Sequence, residues 1–317
     1  MTIPHPALAT RLSRYDTASL REAALLIRAG EPVAVPTETV YGLAADATDP
    51  EAVAAIYAAK GRPSFNPLIV HVADRTMAEG IAQFSPIAAR LADRFWPGPL
   101  TLVLPVRDGA NIAPAVMAGL PTIALRMPAH PAMLGLIRES GRPLAAPSAN
   151  RSGGISPTRA EHVIAGLEGR IRMVLDAGPT SEGLESTIAA PADRQVRLLR
   201  PGSITAGMLA EASGLPVVGA DGTAIEAPGQ MSSHYAPRKP LRLNALRAER
   251  GEYLIGFGLM PCNLNLSPDA DMREAAANLF AALHTADASA SEAIAIAPIP
   301  DEGIGVAIND RLRRAAA

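Results

Sequence analysis

Two cationic side chains lie two positions apart in the stretch Lys60-Gly-Arg-Pro-Ser-Phe-Asn-Pro-Leu-Ile-Val-His71. Lys60 carries a point charge, and Arg62 offers a planar fork of donors that matches a phosphate or a carboxylate. Such a pair on a stiff turn can hold an anion in a fixed geometry. Solvated basic turns show the same Lys-x-Arg pattern, so the interpretation depends on the residues around it.

Local signals place this pair between a helix and a strand. Asp49 is a suitable N-cap for an alanine-rich helix, and Gly61 can end that helix in the left-handed conformation. Pro63 and Pro67 prevent further helix, and residues 68–72 are predicted to form a buried strand. We therefore expect both cations on a polar turn, where replacing them should change the stability of the fold little.

Polar side chains follow two other predicted strands. The segment Pro36-Thr-Glu-Thr39 offers two hydroxyl groups and one carboxylate, although these groups could equally cap a turn. The segment Ala146-Pro-Ser-Ala-Asn150 begins a loop of small residues, whose backbone can approach a ligand closely. That loop is neither a Walker loop nor a dinucleotide-binding fingerprint.

Arg126 lies in an otherwise apolar predicted strand, residues 121–128. A buried guanidinium requires an anionic partner. The sequence leaves open whether that partner is an Asp or Glu of the protein or the carboxylate of a ligand.

Strands and helices alternate along the first two thirds of the chain, which predicts an open, mixed α/β sheet. The first helix is expected to begin at a capping box, Ser19-x-x-Glu22, and to end at Gly30. Glycine and proline are expected to interrupt any regular element in residues 215–240, which we interpret as a long linker between domains.

A small Rossmann-like α/β unit is predicted after the linker. Its elements are two strands, residues 251–257 and 292–298, and two helices, residues 271–284 and 303–314. The arginines near the end of the last helix are expected only to complement the negative end of the helix dipole. The predicted organisation is a first domain over residues 1–214, a linker over 215–240 and a second domain over 241–317.

Composition excludes several classes of protein. The 317 residues suit two domains, and no apolar run reaches the roughly 18 residues of a membrane helix. Residues 1–10 lack a signal pattern, so we expect a cytoplasmic protein. A single cysteine, Cys262, excludes an internal disulfide framework and a cysteine-cluster zinc site. A net charge of −2 and 3% aromatic residues give no sequence-wide nucleic-acid-binding footprint.

Taken together, Pro36-Thr-Glu-Thr-Val-Tyr-Gly-Leu43, Lys60-Gly-Arg62 and Ser148-Ala-Asn150 resemble the motifs of the YrdC-like family. The segment Ala227-Pro-Gly-Gln-Met-Ser-Ser-His-Tyr-Ala-Pro237 and the unit after it narrow the resemblance to the two-domain, Sua-type threonylcarbamoyl-AMP synthases. The resemblance covers nearly the whole chain and implies an open twisted sheet followed by a smaller α/β domain. One departure is Gln230-Met-Ser-Ser233, where many relatives carry basic residues, which leaves a linker cation on the phosphates without support.

The resemblance also implies an activity. L-threonine, bicarbonate and ATP would give threonylcarbamoyl-AMP and pyrophosphate, and the product would serve the synthesis of threonylcarbamoyladenosine in tRNA. Magnesium would arrive with the nucleotide, because no protein metal cage is evident in the sequence. Direct contact with tRNA is left open.

Roles follow residue by residue from the same resemblance. Charge stabilisation during catalysis is implied for Lys60, Arg62, Ser148 and Asn150. Contacts to ATP are implied for Arg62, Asn66, Thr122, Ser148, Ser156, Arg200 and Tyr235. Contacts to threonine are implied for Thr39, His71, Arg126, Ala146 and Ser186.

The pair His234-Tyr235 stands between Pro228 and Pro237, which limit its conformations. A stiffened segment loses less entropy when it docks, so we interpret the linker as a lid over the nucleotide. The alternative is that the pair only packs between the two domains.

Two other classes of function remain as alternatives. A carbamoyl-adenylate-forming module of the hydrogenase-maturation type would need zinc-finger cysteines and further domains, which a single cysteine disfavours. A non-catalytic RNA-binding module is disfavoured by the acidic net charge and the few aromatic residues.

Overall fold

The structure is a computed structural model that describes residues 8–63, 65–220, 226–228 and 234–317. The strands are β1 Arg11–Arg14, β2 Val33–Pro36, β3 Tyr41–Asp46, β4 Ile69–His71, β5 Leu100–Pro105, β6 Thr122–Arg126, β7 Leu144–Ala145, β8 Met173–Asp176, β9 Thr187–Pro191, β10 Val196–Arg200, β11 Val217–Gly219, β12 Leu241–Arg242, β13 Glu252–Gly256, β14 Leu264–Asn265 and β15 Ala293–Ile296. The helices are α1 Thr17–Arg28, α2 Pro50–Lys60, α3 Arg75–Ile81, α4 Pro86–Phe95, α5 Pro114–Met117, α6 Pro131–Ser140, α7 Ala160–Leu167, α8 Ala206–Ser213, α9 Met272–Ala288 and α10 Gly305–Ala315.

Eleven strands of the described residues form one large sheet, in the order β1-β8-β2-β3-β7-β4-β6-β5-β9-β10-β11. Pairing is mixed, since β4 runs parallel to β6 and β5 runs antiparallel to it. Along β2, Ala34 belongs to one hydrophobic core while Val33 and Val35 belong to another. Because successive side chains of a strand point to opposite faces, the sheet is covered on both sides. The predicted mixed α/β fold is confirmed.

A smaller sheet follows, with the order β12-β15-β13-β14 in the described part of the chain. All of its pairs are parallel, and a second group of helices covers it. Leu279 and Phe280 of α9 and Ile308 of α10 share a core with Ile294 of β15. This confirms the smaller C-terminal α/β unit.

Helix ends test the local predictions. Asp49 caps α2, accepting from the backbone N–H of Glu51, and Gly61 ends that helix at φ +61°. The predicted start of the first helix was wrong, because its N-cap is Asp16. The Asp16 carboxylate accepts from the N–H of Ser19, and the Ser19 hydroxyl accepts from the N–H of Asp16. An aspartate–serine pair three positions upstream therefore forms the capping box.

The predicted linker begins with regular structure. Strand β11, at its start, pairs in parallel with β10 and extends the large sheet, so the expectation that no regular element occurs there was wrong. The sequence departure at Gln230-Met-Ser-Ser233 lies outside the described residues. The domain boundaries at residues 214 and 241 stay predictions.

Candidate active site

A cavity lies against one face of the large sheet. Ile69 and His71, two positions apart on β4, point to the same face, and Arg126 of β6 is the register partner of His71. The cavity holds about 50 Å³ of space for the centres of water-sized molecules, which is room for a few waters. The predicted site residues that line it are Arg62, Ser148, Arg200 and Tyr235 from the nucleotide set, and Thr39, His71, Arg126, Ala146 and Ser186 from the threonine set.

Lys60 lies behind the cavity wall and is 2% exposed, so the expectation of a polar turn was wrong for this residue. It is the last residue of α2, and its ammonium group reaches the loop after β7. Nζ donates to the carbonyl oxygen of Ser148 at 2.6 Å and to that of Asn150 at 2.5 Å. Burial lowers the pKa of Lys60 well below its usual value, and the charge of Arg62 adds to the shift.

Ser148 and Asn150 are held together as well. The Ser148 hydroxyl donates to Asn150 Oδ1 at 2.6 Å, and Asn150 Nδ2 donates to the carbonyl oxygen of Gly154 at 2.7 Å. These bonds fold the loop around the end of α2. Lys60, Ser148 and Asn150 therefore form one connected group, and their joint role in catalysis stays a prediction.

Arg62 and Arg200 present guanidinium groups to the cavity. Arg62 donates to the carbonyl oxygen of Pro67 at 3.0 Å, and burial lowers its pKa to about 10. Arg200, the last residue of β10, donates from Nη2 to Ser186 Oγ and from Nε to the Ser186 carbonyl oxygen, both at 3.1 Å.

The partners of these cations are mostly neutral. In the described residues, no carboxylate forms an ion pair with Lys60 or with Arg62, whose hydrogen bonds go to carbonyl and amide oxygens. Buried positive charge without a carboxylate is costly, and a bound anion would offset that cost. This part of the cavity is thus suited to a polyanionic ligand.

Arg126 has an anionic partner within the protein. Its Nη2 lies 2.8 Å from Oε1 of Glu38, and both side chains are buried. Its Nη1 donates to Thr39 Oγ1 at 2.9 Å, and its Nε donates to the carbonyl oxygen of Gly98 at 3.2 Å. The structure thus identifies the required anion as Glu38, in the motif that also supplies Thr39.

His71 is neutral in this site. Burial, with the charge of Arg126 as the next cause, lowers its pKa to about 3. Its Nδ1 is buried and has no hydrogen-bond partner among the described residues. The ring is therefore an uncharged wall of the cavity with one unpaired polar atom.

Ser186 connects the two predicted sets of residues. Its hydroxyl lies 2.7 Å from the hydroxyl of Thr101 and accepts from Arg200. A group predicted to contact threonine is thus bonded directly to a group predicted to contact ATP. The two ligands would meet at this point.

Three predicted nucleotide contacts do not line the cavity. Asn66 is buried in the loop before β4, where its carbonyl oxygen accepts from Tyr57 at 3.1 Å. Thr122 begins β6 and pairs with Pro105. Ser156 is fully buried and donates to Oε1 of Glu185 at 2.5 Å, so it reaches the cavity only through that carboxylate.

His234 and Tyr235 both line the cavity from the linker. Their rings lie 4.0 Å apart, and Tyr235 also packs 5.5 Å from Phe280 of α9. The Tyr235 backbone has φ +66°, a conformation that bulky residues rarely adopt. The pair therefore contacts both the cavity and the C-terminal unit, as the lid and the packing interpretations each require.

Sequence reasoning missed two charged residues next to the site. Glu185 lines the cavity, and Arg311 of α10 pairs with it from the C-terminal unit. The expectation that the terminal arginines only complement a helix dipole was wrong for Arg311. The sequence does carry a signal for Glu185, because this residue directly precedes the predicted site residue Ser186 in the segment Leu-Glu-Ser-Thr. No local pattern marks Arg311.

Comparison with known families accounts for both parts of the chain. A family model described as "Telomere recombination", which covers the Sua5, YciO and YrdC proteins, matches residues 25–202. A second model, described as "Threonylcarbamoyl-AMP synthase, C-terminal domain", matches residues 204–317. The chain belongs to the two-domain Sua5 family.

Relatives of this Sua5-family chain match it over nearly its full length. A threonylcarbamoyl-AMP synthase of Bacillus subtilis is 44% identical, covering 94% of this chain and 92% of that protein. One of Pyrococcus abyssi is 40% identical over 96% and 95%, and one of Schizosaccharomyces pombe is 35% identical over 98% and 92%. The family resemblance stated from the motifs is confirmed, and the chain is an enzyme of that family.

Solved structures agree with this membership. Pyrococcus abyssi Sua5 in complex with L-threonine superposes with a TM-score of 0.86 at 37% identity, over 98% of this chain and 97% of that one. A full-length HypF structure in a phosphate- and nucleotide-bound form has a TM-score of 0.52 at 21% identity, and this shows a shared fold only. Among the described residues, no helix is long and apolar enough to cross a membrane.

Proposed function

We propose that this protein makes threonylcarbamoyl-AMP and pyrophosphate from L-threonine, bicarbonate and ATP. The observation that carries the proposal is one cavity with two differently charged halves. One half has the partly buried Arg62, with the buried Lys60 behind its wall, and no described carboxylate pairs with either cation. The other half has Arg126, Thr39 and His71. The names of the relatives point to the same product.

The reaction joins threonine, bicarbonate and the AMP part of ATP, and it releases pyrophosphate and water. The threonine amine and bicarbonate give a carbamate with loss of water. A carbamate oxygen then attacks the α-phosphorus, the bond to the β-phosphate oxygen breaks, and pyrophosphate leaves. Negative charge grows on the phosphate oxygens during this step, and preorganised cations are the usual means of stabilising it.

The cationic half would bind the triphosphate. In our proposal Lys60 holds the Ser148–Asn150 loop in place while its charge, with those of Arg62 and Arg200, acts on the phosphates. Tyr235 lines the same half. Asn66, Thr122 and Ser156 remain proposed nucleotide contacts, although they do not line the cavity. Magnesium would arrive with ATP and offset part of the phosphate charge.

The other half would bind threonine. Arg126 would share its guanidinium between Glu38 and the substrate carboxylate, and the hydroxyls of Thr39 and Ser186 would bond the substrate hydroxyl. His71 and Ala146 would close the pocket around the side chain. The Pyrococcus abyssi Sua5 complex with L-threonine supports threonine as the ligand of this half.

The wider setting follows from the same proposal. The product would pass to the machinery that makes threonylcarbamoyladenosine in tRNA, and the protein would act in the cytoplasm. The catalytic domain would comprise residues 1–214, the linker 215–240 and the second domain 241–317.

Pyrophosphate release is the direct test. ATP with the purified protein should release pyrophosphate only when both L-threonine and bicarbonate are present, and the adenylate should be seen by mass spectrometry. Release that does not depend on threonine would reject the proposal in favour of another adenylating activity. No release would leave the binding-module alternative.

A further inference from the structure

Arg311 belongs to α10 of the C-terminal unit, yet its side chain is 0% exposed and lies beside the cavity. Each of its donor nitrogens has an acceptor. Nε donates to Glu185 Oε2 at 2.9 Å, Nη1 to Asp310 Oδ2 at 2.7 Å and Nη2 to the carbonyl oxygen of Pro201 at 2.9 Å. The guanidinium therefore has one orientation, fixed by three separate acceptors.

Glu185 connects Arg311 to the residues of the candidate site. Its Oε1 accepts from Ser156, a proposed nucleotide contact, and the next residue, Ser186, is bonded to Arg200. Burial alone would raise the pKa of Glu185, but the charges of Arg311 and Arg200 outweigh it and hold the pKa below its usual value. The carboxylate is thus ionised and able to orient several donors at once.

Arg311 also faces the linker. Its guanidinium carbon lies 5.4 Å from the centre of the Tyr235 ring, a distance typical of a cation–π contact. One side chain of α10 therefore contacts the loop that carries Glu185 and the tyrosine that lines the nucleotide half.

The backbone of the same loop is fixed by close packing. Gly183 has φ +69°, and a side chain there would come within 2.4 Å of the backbone of Ala277 in α9. The loop from Gly183 to Ser186 is therefore held directly against the C-terminal unit. Glu185 and α10 keep their relative positions only while that packing is intact.

Stability alone does not explain a charged pair at this place. Burying two ions costs several kcal/mol in desolvation, and apolar residues of similar volume often stabilise a fold as well or better. What a guanidinium fork adds is a fixed direction for the carboxylate it holds. That direction matters here, because Glu185 itself lines the cavity and also holds the hydroxyl of Ser156.

We propose that Arg311 and Glu185 are positioning residues of the synthase reaction, through which the C-terminal unit sets the geometry of the nucleotide half. The proposal rests on the proposed function. Its consequence is that the C-terminal unit is part of the active site, although Arg311 need not touch a substrate.

The test compares conservative changes in two ion pairs. Arg311→Lys keeps the charge and loses the fork. Arg242→Lys is the matched control, because Arg242 makes two bonds to Glu252 (2.8 and 2.6 Å) inside the C-terminal unit. We expect Arg311→Lys to raise the KM for ATP about 10-fold, as misplaced binding groups do, with a smaller change in the KM for threonine. Arg242→Lys should leave both constants close to those of the wild type.

Glu185→Gln, with Glu252→Gln as its control, covers the case in which Arg311→Lys does not fold. The double variant Glu185→Gln/Arg311→Lys should lose no more ATP affinity than the worse single variant, because both act through one contact. Equal KM values for ATP in Arg311→Lys and Arg242→Lys, or in Glu185→Gln and Glu252→Gln, would overturn the proposal. If the wild type itself releases no pyrophosphate, the proposed function fails instead.

Discussion

The two halves of the cavity differ in how the protein compensates their positive charge. In the half proposed to bind threonine, Arg126 lies 2.8 Å from the Glu38 carboxylate, so that half is balanced within the protein. In the half proposed to bind the nucleotide, Lys60 and Arg62 bond to carbonyl and amide oxygens, and no described carboxylate pairs with them. The first arrangement suits a zwitterionic amino acid, which brings no net charge. The second suits a triphosphate, which brings several negative charges.

The largest expected effect is on kcat/KM when the amino-acid substrate is changed, and it tests the half in which Glu38 balances Arg126. If hydroxyls such as those of Thr39 and Ser186 bond the substrate hydroxyl, valine leaves them unpaired, and we expect kcat/KM about 10⁴-fold below that of threonine. Serine keeps the hydroxyl and lacks one methyl group. Its transition state should therefore be stabilised less than that of threonine by only about 1–3 kcal/mol, as measured by kcat/KM. Pyrophosphate assays with the three amino acids measure both differences. Comparable turnover of valine and threonine would reject the assignment of this half.

Removing the cation should affect stability differently in the two halves. Arg126→Met leaves Glu38 buried and unpaired, so we expect a loss of about 3–5 kcal/mol in the free energy of unfolding. Arg62→Met orphans no described carboxylate and should cost much less. Denaturant unfolding measures both. The double variant Glu38→Gln/Arg126→Met should recover part of the lost stability. If no stability is recovered, the two side chains are not coupled.

If Lys60 stabilises the phosphates as proposed, Lys60→Met should lower kcat/KM on the order of 100-fold, because it removes that charge. It should also destabilise the fold by about 1–3 kcal/mol, since one buried and one partly buried carbonyl group lose their donor. Lys239→Met is the matched control, because its ammonium group likewise donates to two carbonyl groups, those of Ala286 and Ser289. Equal activity losses in the two variants would mean that Lys60 acts only through the fold.

The lid interpretation concerns access to the cationic half. The cavity is small and partly open to solvent, and the linker residues His234 and Tyr235 are part of its lining. We expect ATP with threonine to protect residues 220–240 from limited proteolysis, and Tyr235→Ala to weaken the protection. Cleavage at one rate with and without ligands would mean that the segment is only a tether.

The smallest effect should be that of pH on stability. The rings of His162 and His284 stack at 3.9 Å between α7 and α9. Burial, with the neighbouring charges of His284 and Arg159, lowers the pKa of His162 to about 3, and burial lowers that of His284. The unfolded chain, with His pKa values of about 6.5, binds more protons, so stability is complete above that pH and falls as pH decreases below it.

Thermal unfolding between pH 7.5 and 5, roughly spanning the unfolded pKa of histidine, measures this slope. The melting temperature should fall with acidification, and His162→Gln should flatten the curve. His71 and His234, also with pKa values of about 3, should contribute to what remains. A melting temperature that does not change over this range would contradict the prediction.

Sequence reasoning succeeded where the signals were local. Helix α2, from its Asp49 cap to Gly61, needs only neighbouring residues, and the motifs identified most of the cavity lining. It failed where partners are distant in the chain. The Lys60 ammonium group bonds to residues 88 and 90 positions away, so its burial has no local signature. The choice of Glu38 over a ligand carboxylate as the anion for Arg126 likewise depends on tertiary packing.

The first helix shows a failure of a different kind. Ser19-x-x-Glu22 fits a capping box by pattern, but Asp16 with Ser19 fits as well and leaves a longer helix. The two possible capping boxes overlap at Ser19. The helix begins at the earlier one, in which Asp16 accepts from a backbone N–H.

The distance between Glu185 and Arg311 along the chain has a consequence for biosynthesis. Arg311 is made 126 residues after the glutamate that it orients. Until α10 has been synthesised, the Glu185 carboxylate lacks this partner, and burying it would be unfavourable. The nascent chain can assemble the large sheet early, since all of its strands precede the small unit. On the proposal above, the catalytic geometry is then completed late, by a helix that emerges after every residue lining the cavity.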